Sequence, residues 1–300
     1  MSTALASTAL AGVLLLDKPV GLSSNLALQR VRRLAGGIKA GHTGNLDPLA
    51  SGMLPICLGE ATKLAGEMLS RGKSYRFGVQ LGERSETGDA EGPIIERCAV
   101  PALDSAQLGA VLARFHGEQQ QIPPMYSALK RQGEPLYRLA RQGINVEREP
   151  RSVTIEALEL LALEPERLQL RVLCSKGTYV RVLAEDIARA LGTCGRLYEL
   201  RREFVQPFEL EPMATLEQLQ ALSLEDWPVL PADRAVSHLP ALHLDLASVK
   251  ALSHGKVVST AAPQSGACRL YDPEGRFVGL GQGAGAHSLR VLRLFAAAQQ

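Results

Sequence analysis

The stretch around which the rest of the chain can be interpreted is Gly41-His42-Thr43-Gly44-Asn45-Leu46-Asp47-Pro48-Leu49-Ala50-Ser51-Gly52. Its glycines and its proline are incompatible with a regular helix or a central strand, so the segment is predicted to be a shaped loop. Pro48 favours extended backbone at Asp47, which is the only carboxylate of the stretch. Taken alone, such an aspartate is most often a turn-forming residue.

Strand and helix patterns alternate on both sides of this loop. Between residues 73 and 82, apolar side chains from Tyr75 to Leu81 alternate with polar or small ones, which predicts a half-buried strand with Tyr75 facing inward. Ser23 or Ser24 can cap a helix that stops at Gly36. Further strands are predicted at 12–16, 153–155, 168–174 and 198–208, and further helices at 59–69, 104–115 and 179–191.

Three segments depart from this alternation. Residues 118–150 are irregular, with a short basic helix at 134–141, and are predicted to form an exposed insertion. Residues 209–233 carry six acidic and no basic side chains and are predicted to be a helix with a connecting arm. After about residue 239 the chain becomes richer in Gly and Ala, and Asp272-Pro273-Glu274-Gly275 is typical of a hairpin turn. We therefore divide the chain into domains at 1–239 and 240–300.

Composition indicates a soluble globular protein. The chain is 46% hydrophobic and 21% charged, with a net charge of +2. Basic side chains concentrate at 126–151 (six basic, three acidic) and 171–202 (seven basic, three acidic), and such stretches can follow a phosphate backbone. The apolar N-terminus has no basic flank typical of a signal peptide, and no run is long enough to span a membrane. We expect a cytoplasmic protein whose five scattered cysteines are reduced, buried thiols.

Several common chemistries lack their sequence motifs. No GxGxxG occurs on a strand–helix turn, and GxxxxGK[ST], HExxH and GxSxG are absent. The histidines and cysteines show no metal-ligand spacing. A glycosidase would need a second carboxylate beside the first. The alternatives that remain are a cofactor-free enzyme with a single aspartate and a non-catalytic RNA-binding module.

The loop and five further motifs resemble the TruB family of tRNA pseudouridine synthases. The loop pattern Gly41-His42-Thr43-Gly44-x-Leu46-Asp47-Pro48 is similar to the catalytic motif of that family, and Asn45 and Ser51 are the only departures that we note within the loop. The other motifs follow in the family's order from residue 12 to 210. They are Asp17-Lys18-Pro19-x-Gly21-x-Ser23-Ser24, Lys73-x-Tyr75, Pro124-Met125-Tyr126-Ser127-Ala128-Leu129-Lys130, Cys174-Ser175-Lys176-Gly177-Thr178-Tyr179-Val180-Arg181 and Leu200-Arg201-Arg202. The tail is similar, more weakly, to a PUA-like RNA-binding domain.

This resemblance implies a fold and an activity. The fold is α+β, with a mixed, largely antiparallel central sheet flanked by helices and a small β-rich C-terminal PUA-like domain. The activity is conversion of one uridine in the T loop of tRNA, position 55, to pseudouridine on a flipped-out base, without metal or cofactor. By the same resemblance, residues 118–150 are a thumb that contacts RNA.

The resemblance also assigns roles to individual residues. Asp47 is the nucleophile, and Arg181 is its partner in an ion pair. Tyr75 stacks on the target base and is our hypothesis for the group that removes the late proton. Tyr179 and Leu200 line the same pocket, and His42 contacts the nucleic acid beside the flipped base. Lys18 either supports the loop or takes part in the chemistry.

The remaining predictions concern partners. Lys130, Arg141 and Arg202 are expected to contact the RNA backbone of the tRNA T arm, with the basic stretches 126–151 and 171–202 as the contact surfaces. The intact thumb favours a stand-alone, monomeric enzyme that needs no protein partner. Two alternatives stay open: an RNA-binding protein with a vestigial site, and a guide-RNA-dependent enzyme that works with partner proteins.

Overall fold

The computed structural model describes residues 10–261 and 263–295. The larger part of the chain is built on one nine-stranded sheet, and the C-terminal part on a five-stranded sheet. The strands of the larger sheet are β1 (Gly12–Lys18), β2 (Ala40–His42), β3 (Ser51–Leu58), β4 (Lys73–Leu81), β7 (Gly117–Gln121), β10 (Arg151–Glu164), β11 (Arg167–Cys174), β12 (Gly195–Val205) and β13 (Val229–Pro231). Two small hairpins pair β5 (Glu83–Ser85) with β6 (Ile94–Arg97), and β8 (Lys130–Arg131) with β9 (Glu134–Pro135).

The smaller sheet and the helices complete the fold. The smaller sheet contains β14 (Ala241–His243), β15 (Val258–Ser259), β16 (Ala267–Tyr271), β17 (Phe277–Gly285) and β18 (Ser288–Leu294). The α-helices are α1 (Ser24–Leu34), α2 (Ala65–Leu69), α3 (Ser105–Ala113), α4 (Leu136–Arg141), α5 (Val180–Ala190), α6 (Leu216–Ala221) and α7 (Leu246–Ser253). Single 3-10 turns span Gly59–Leu64, Leu224–Asp226 and Ala232–Val236.

The large sheet is mixed and mostly antiparallel, as predicted. Its order is β13-β1-β3-β12-β4-β11-β10-β7, with β2 added beside β3. Of the pairings described in this sheet, only β12 with β3 is parallel. Gly52 lies at that junction with φ +99°, and a Cβ there would collide with the carbonyl of Arg202. Glycine therefore lets the end of the loop approach β12, at the place where the candidate site lies.

Apolar side chains pack against both faces of the large sheet near β1, in two separate cores. On one face, Tyr75 and Phe77 of β4 pack into a core shared with α1, α3, α5 and α6. On the other face, Val13 and Leu15 of β1 pack in a second core that also holds Phe295. The C-terminal sheet has its own core as well. Helices follow the apolar spacing, and α1 starts where the Ser23 hydroxyl accepts a hydrogen bond from the Leu26 N–H.

Most predicted elements are present with boundaries shifted by a few residues. Three expectations need correction. Residues 117–121 are not part of the insertion, because β7 pairs with β10 as the edge of the large sheet. The acidic arm contributes β13, which pairs with β1 at the opposite edge. The ends of the loop at 41–52 belong to β2 and β3, so only its middle is irregular.

The prediction that all five cysteines are reduced is wrong for two of them. Cys98 and Cys194 form a disulfide, with Cα atoms 5.7 Å apart, whereas Cys57, Cys174 and Cys268 are free and buried. Because the two partners lie 96 residues apart in sequence, their spacing gave no sign of the pairing. The predicted absence of a signal peptide concerns a segment that lies partly outside the described residues. None of the helices in the described ranges has the length and apolarity needed to cross a membrane.

Candidate active site

The loop that carries Asp47 is fixed by hydrogen bonds from the first helix, from the turn before it and within the loop itself. The buried Ser24 hydroxyl accepts a hydrogen bond from the Leu46 N–H (2.7 Å) and lies 3.1 Å from the Leu46 carbonyl. The Gly21 N–H donates to the Pro48 carbonyl (2.7 Å), and the Ala50 N–H donates to the Asp47 carbonyl (3.0 Å). The backbone on both sides of Asp47 is therefore fixed by residues of the first turn and the first helix.

Lys18 supports the loop indirectly, through the turn at residues 19–22. Its side chain is fully buried, and Nζ donates to the carbonyls of Pro19 (2.8 Å) and Leu22 (2.7 Å). These contacts fix the 19–22 turn that in turn bonds to Pro48. Burial lowers the pKa of Lys18 to about 8, although Asp47 nearby acts in the opposite direction. Of the two alternatives for Lys18, the geometry favours the supporting role.

Asp47 and Arg181 form an ion pair, as the family resemblance implies. Arg181 Nε lies 3.0 Å from Asp47 Oδ2, and the Asp47 side chain remains 42% exposed while that of Arg181 is 6% exposed. The guanidinium also donates to the carbonyls of Thr87 (2.8 Å) and Tyr126 (2.7 Å) and lies 3.7 Å from Asp89 Oδ2. Each nitrogen of this buried cation thus has an acceptor, and the cation orients a carboxylate that solvent or a substrate can still reach.

A small pocket opens beside Asp47. The pocket volume is about 140 Å³, below the roughly 300 Å³ at which pockets for drug-sized ligands begin, so it suits one flat ring. The lining brings together five of the predicted site residues: Asp47, Tyr75, Tyr179, Arg181 and Leu200. Tyr75 is 8% exposed, and burial raises the pKa of its phenol. Burial likewise raises the pKa of Tyr179.

Sequence reasoning missed four residues that hold the site. Asp89 and Thr87 lie at the tip of the β5–β6 hairpin, and Asp89 accepts from the Thr87 hydroxyl (2.5 Å). Buried Gln121, at the end of β7, accepts from the Tyr179 N–H (2.9 Å) and donates to its carbonyl (3.4 Å). Ser24 was named as a possible helix cap and as part of a motif, and neither assigned it the contact with the loop at Leu46. Gly88 and Asp89 form a turn-like pair in the sequence, but nothing local indicates that they face Arg181.

Arg202 does not lie where the prediction placed it. Its side chain is fully buried; Nε donates to the Met53 carbonyl (2.6 Å), and Nη1 lies 3.4 Å from the Asn45 carbonyl. It therefore cannot reach an RNA backbone from the surface. The physical reason is strand alternation: Arg201 faces outward and pairs with Asp17 at 2.8 Å, so its neighbour faces the interior.

The basic stretch 171–202 is also not a free cationic surface. Apart from Arg202, its arginines pair with acids that come mostly from other elements. These pairs are Arg171 with Glu203 and Glu159, Arg181 with Asp47, Arg189 with Asp186, Arg196 with Glu83, and Arg201 with Asp17. Charge counted along the chain did not show this compensation. These pairs offset much of the positive charge of 171–202, and RNA contact by its exposed arginines stays a prediction.

In the part of the chain that the structure describes, two basic side chains of the thumb lack the acidic partners that most arginines of 171–202 have. Lys130 and Arg141 are exposed, and the structure gives neither of them a carboxylate partner within the described ranges. The Arg141 guanidinium lies over the Tyr137 ring, 5.6 Å from its centre. Neither residue lines the pocket, so any contact with a ligand there would be made at a distance from Asp47.

His42 lies at the start of the loop and is half-buried. Burial and the nearby Arg202 lower the pKa of its imidazole, so the ring is neutral at pH 7. Its Nδ1 is buried, with no hydrogen-bond partner in the described structure. The residues outside the masked positions include no group of three His, Cys, Asp or Glu side chains that could hold a metal ion.

Comparison with known proteins agrees with this geometry. Family models match residues 32–180 (TruB family pseudouridylate synthase, N-terminal domain), 181–237 (tRNA pseudouridylate synthase B C-terminal domain) and 240–295 (pseudouridine synthase II TruB, C-terminal). A protein of Chromohalobacter salexigens named tRNA pseudouridine synthase B is 52% identical over 280 residues, 91% of this chain and 90% of that one. A protein of the same name from Aromatoleum aromaticum is 49% identical and covers 96% of this chain and 95% of its own.

A solved structure shares the fold. A chain of a Cbf5–Nop10–Gar1 complex superposes with a TM-score of 0.74 at 25% identity, covering 98% of this chain and 87% of that one. The pseudouridine-synthase fold predicted from the resemblance is thereby confirmed. The similarity in sequence extends over nearly the whole chain, and it includes the segment that carries Asp47, Tyr75 and the thumb. The chain belongs to the TruB family of pseudouridylate synthases.

Proposed function

We propose that this chain converts the uridine at position 55 in the T loop of tRNA to pseudouridine, with Asp47 as the nucleophile. The observation that carries the proposal is the exposed Asp47 carboxylate, held by the buried Arg181 at 3.0 Å beside a pocket for one flat ring. Membership of the family and the names of the 49–52% identical relatives support the reaction and the tRNA substrate.

The pocket suits a base that has left its stack. Tyr75 and Tyr179 offer aromatic faces, and Leu200 offers an apolar wall. Stacking on such side chains offsets the few kcal/mol required to extrude a base from folded RNA. The half-buried His42 lies on the same loop as Asp47, where it can contact the nucleotide beside the extruded one. Lys18 and Arg202 act from behind the loop and do not touch the base.

The isomerisation moves one bond and relocates one proton. The bond from C1′ to N1 breaks, a bond from C1′ to C5 forms, the C5 proton leaves, and N1 gains a proton. Asp47 makes and then loses a covalent bond, so the aspartate is unchanged at the end. No redox step occurs, and we propose that neither metal nor cofactor takes part. Tyr75 is the group that we assign to proton removal, because its phenol lies in the pocket with Asp47.

We assign RNA backbone contacts to the thumb. Lys130 and Arg141 are exposed and lack carboxylate partners in the described structure, unlike the paired arginines of 171–202. The domain division at residue 239, with a PUA-like domain in 240–300 that assists RNA binding, belongs to the same proposal. So does a monomeric enzyme in the cytoplasm that acts without a protein partner.

Unmodified tRNA transcript incubated with the purified protein alone tests the function. Pseudouridine should appear at position 55, and a transcript with cytidine at that position should gain none. Asp47→Asn should abolish turnover while leaving tRNA affinity within about tenfold of wild type, or 1.4 kcal/mol. Intact tRNA binding without product would favour the alternative of a non-catalytic RNA-binding protein. Product that appears only when partner proteins and a guide RNA are added would favour the guide-dependent alternative.

A further inference from the structure

Arg202 is a buried cation without an acidic partner. Two of its guanidinium nitrogens reach only backbone carbonyls, at Met53 and Asn45, and Nη2 is buried without a hydrogen-bond partner in the described structure. No carboxylate of residues 10–261 or 263–295 forms an ion pair with it. Burying a charge with such incomplete compensation destabilises the folded state, so a purely structural role would be served better by an apolar side chain.

The surroundings of Arg202 add to this cost. Burial is the main cause that lowers the pKa of His42, Lys18 and Lys73, and the nearby positive charge of Arg202 lowers each of them further. Lys73 is 8% exposed, and its pKa is about 8. Arg202, Lys18 and Lys73 therefore concentrate positive charge behind the loop, which stabilises any negative charge that develops next to it.

Tyr75 is the side chain placed to develop that charge. Arg202 on β12 lies directly opposite Tyr75 on β4 in the strand register. Three groups act on the phenol from three elements: Arg202 from β12, Cys174 from β11 and Asp47 from the loop. Burial raises the pKa of Tyr75, Arg202 lowers it, and the buried Cys174 thiol stays neutral because its own pKa is about 11. Of these three groups, Arg202 is the cation.

We propose that Arg202 is a positioning residue for the chemistry of Tyr75, since it fixes the loop at Asn45 and holds a permanent positive charge beside the phenol. The inference rests on the proposed function. In the isomerisation, Tyr75 donates its proton toward N1, which holds the electron pair released from the broken bond, and the phenolate then takes the C5 proton. Tyr75 begins and ends as a phenol, and Arg202 stabilises the phenolate in between.

The test measures the ionisation of Tyr75 directly. Protein made with 3-fluorotyrosine is titrated by 19F NMR, and the Tyr75 resonance is identified by its absence in Tyr75→Phe. Arg202→Met should raise the pKa of the Tyr75 phenol, and Arg202→Lys, which keeps the charge, should leave it nearer to wild type. Arg201→Met, on the outward face of the same strand, is the matched control and should not shift the resonance.

Kinetics and binding complete the experiment. In single-turnover assays, Arg202→Met should slow pseudouridine formation by at least about tenfold, with Arg202→Lys partly restoring the rate and tRNA affinity unchanged. If the Tyr75 pKa is the same in all the Arg202 variants, the proposal is wrong. Where Arg202→Met does not fold, the same titration and rate measurement on Arg202→Gln, which removes the charge but keeps a polar side chain, decide: a Tyr75 pKa equal to that of wild type would refute the proposal. Because the NMR measurement needs no turnover, its result is separate from a failure of the proposed function.

Discussion

Replacing Arg181 by Lys tests whether the shape of the guanidinium, and not only its charge, creates the active site. The guanidinium contacts four acceptors: Asp47 at 3.0 Å, the Thr87 and Tyr126 carbonyls at 2.8 and 2.7 Å, and Asp89 at 3.7 Å. These acceptors come from three separate segments: the loop of Asp47, the β5–β6 hairpin and the start of the thumb. A lysine ammonium is a compact point charge and cannot reach all of them at once.

The magnitude follows from the contacts that would be lost. A hydrogen bond from a charged donor contributes about 1.5–3 kcal/mol, so losing one or two of them lowers the free energy of unfolding by roughly 2–5 kcal/mol. Because the Asp89 side chain is only 5% exposed, a poorer partner would leave this buried carboxyl group less well compensated. Pseudouridine formation should fall by at least about a hundredfold, since an Asp47 shifted from its ion pair is misaligned with the pocket.

Urea unfolding and single-turnover kinetics on tRNA transcript measure the two effects separately. Asp186→Asn is a suitable control. It removes the ion pair between Asp186 Oδ1 and the exposed Arg189 Nη1, 2.6 Å apart on the same helix, and it leaves the contacts of Arg181 with Asp47 intact. Its effect on stability should be within about 1 kcal/mol. Wild-type stability and rate in Arg181→Lys would refute the reasoning, because a simple positive charge would then be sufficient.

Three further outcomes are expected. Lys130→Glu or Arg141→Glu should weaken tRNA binding and reduce the salt dependence of its affinity by about one phosphate contact each, measured by filter binding at several salt concentrations; unchanged affinity would remove the thumb from the binding surface. Since the pKa of Lys18 is about 8 in the folded state and 10.5 in the reference state, the unfolded chain binds more protons between these values. The free energy of unfolding should accordingly rise with pH from about 8 to 10.5, and Lys18→Met should reduce that slope, while an equal slope in the variant would contradict the burial argument. Because the Cys98–Cys194 disulfide joins residues 96 apart, Cys98→Ser should lower the free energy of unfolding by about 2–4 kcal/mol under oxidising conditions, and added reductant should affect wild type but not the variant.

Motif and periodicity located the centre of the site well. The alternation from Tyr75 to Leu81 predicted an inward-facing tyrosine, which is buried in the core face of β4. The resemblance assigned Asp47 and Arg181 to one ion pair, and the structure contains it. These predictions worked because a local pattern or a shared motif specifies each of those residues.

Residues that depend on tertiary contacts escaped the same reasoning. Arg202 was interpreted as a surface cation because its side-chain type usually is one, but strand alternation turns it inward. The acids that neutralise 171–202 come largely from distant segments, as Glu83 does for Arg196. Gln121 carries no catalytic signature, and its importance follows only from the pairing of β7 with β10, which brings it to Tyr179.

The hydrogen bond from Arg181 to the Tyr126 carbonyl links the thumb to the nucleophile. One guanidinium contacts both Asp47 and the segment that leads into the basic thumb, so a displacement of this segment is transmitted to Asp47 through a hydrogen bond and an ion pair of one side chain. We expect an RNA that positions the thumb correctly to align the carboxylate as well, and one that positions it poorly to leave the carboxylate misaligned. Discrimination between substrates can therefore be exercised at the chemical step, after binding, through a single side chain.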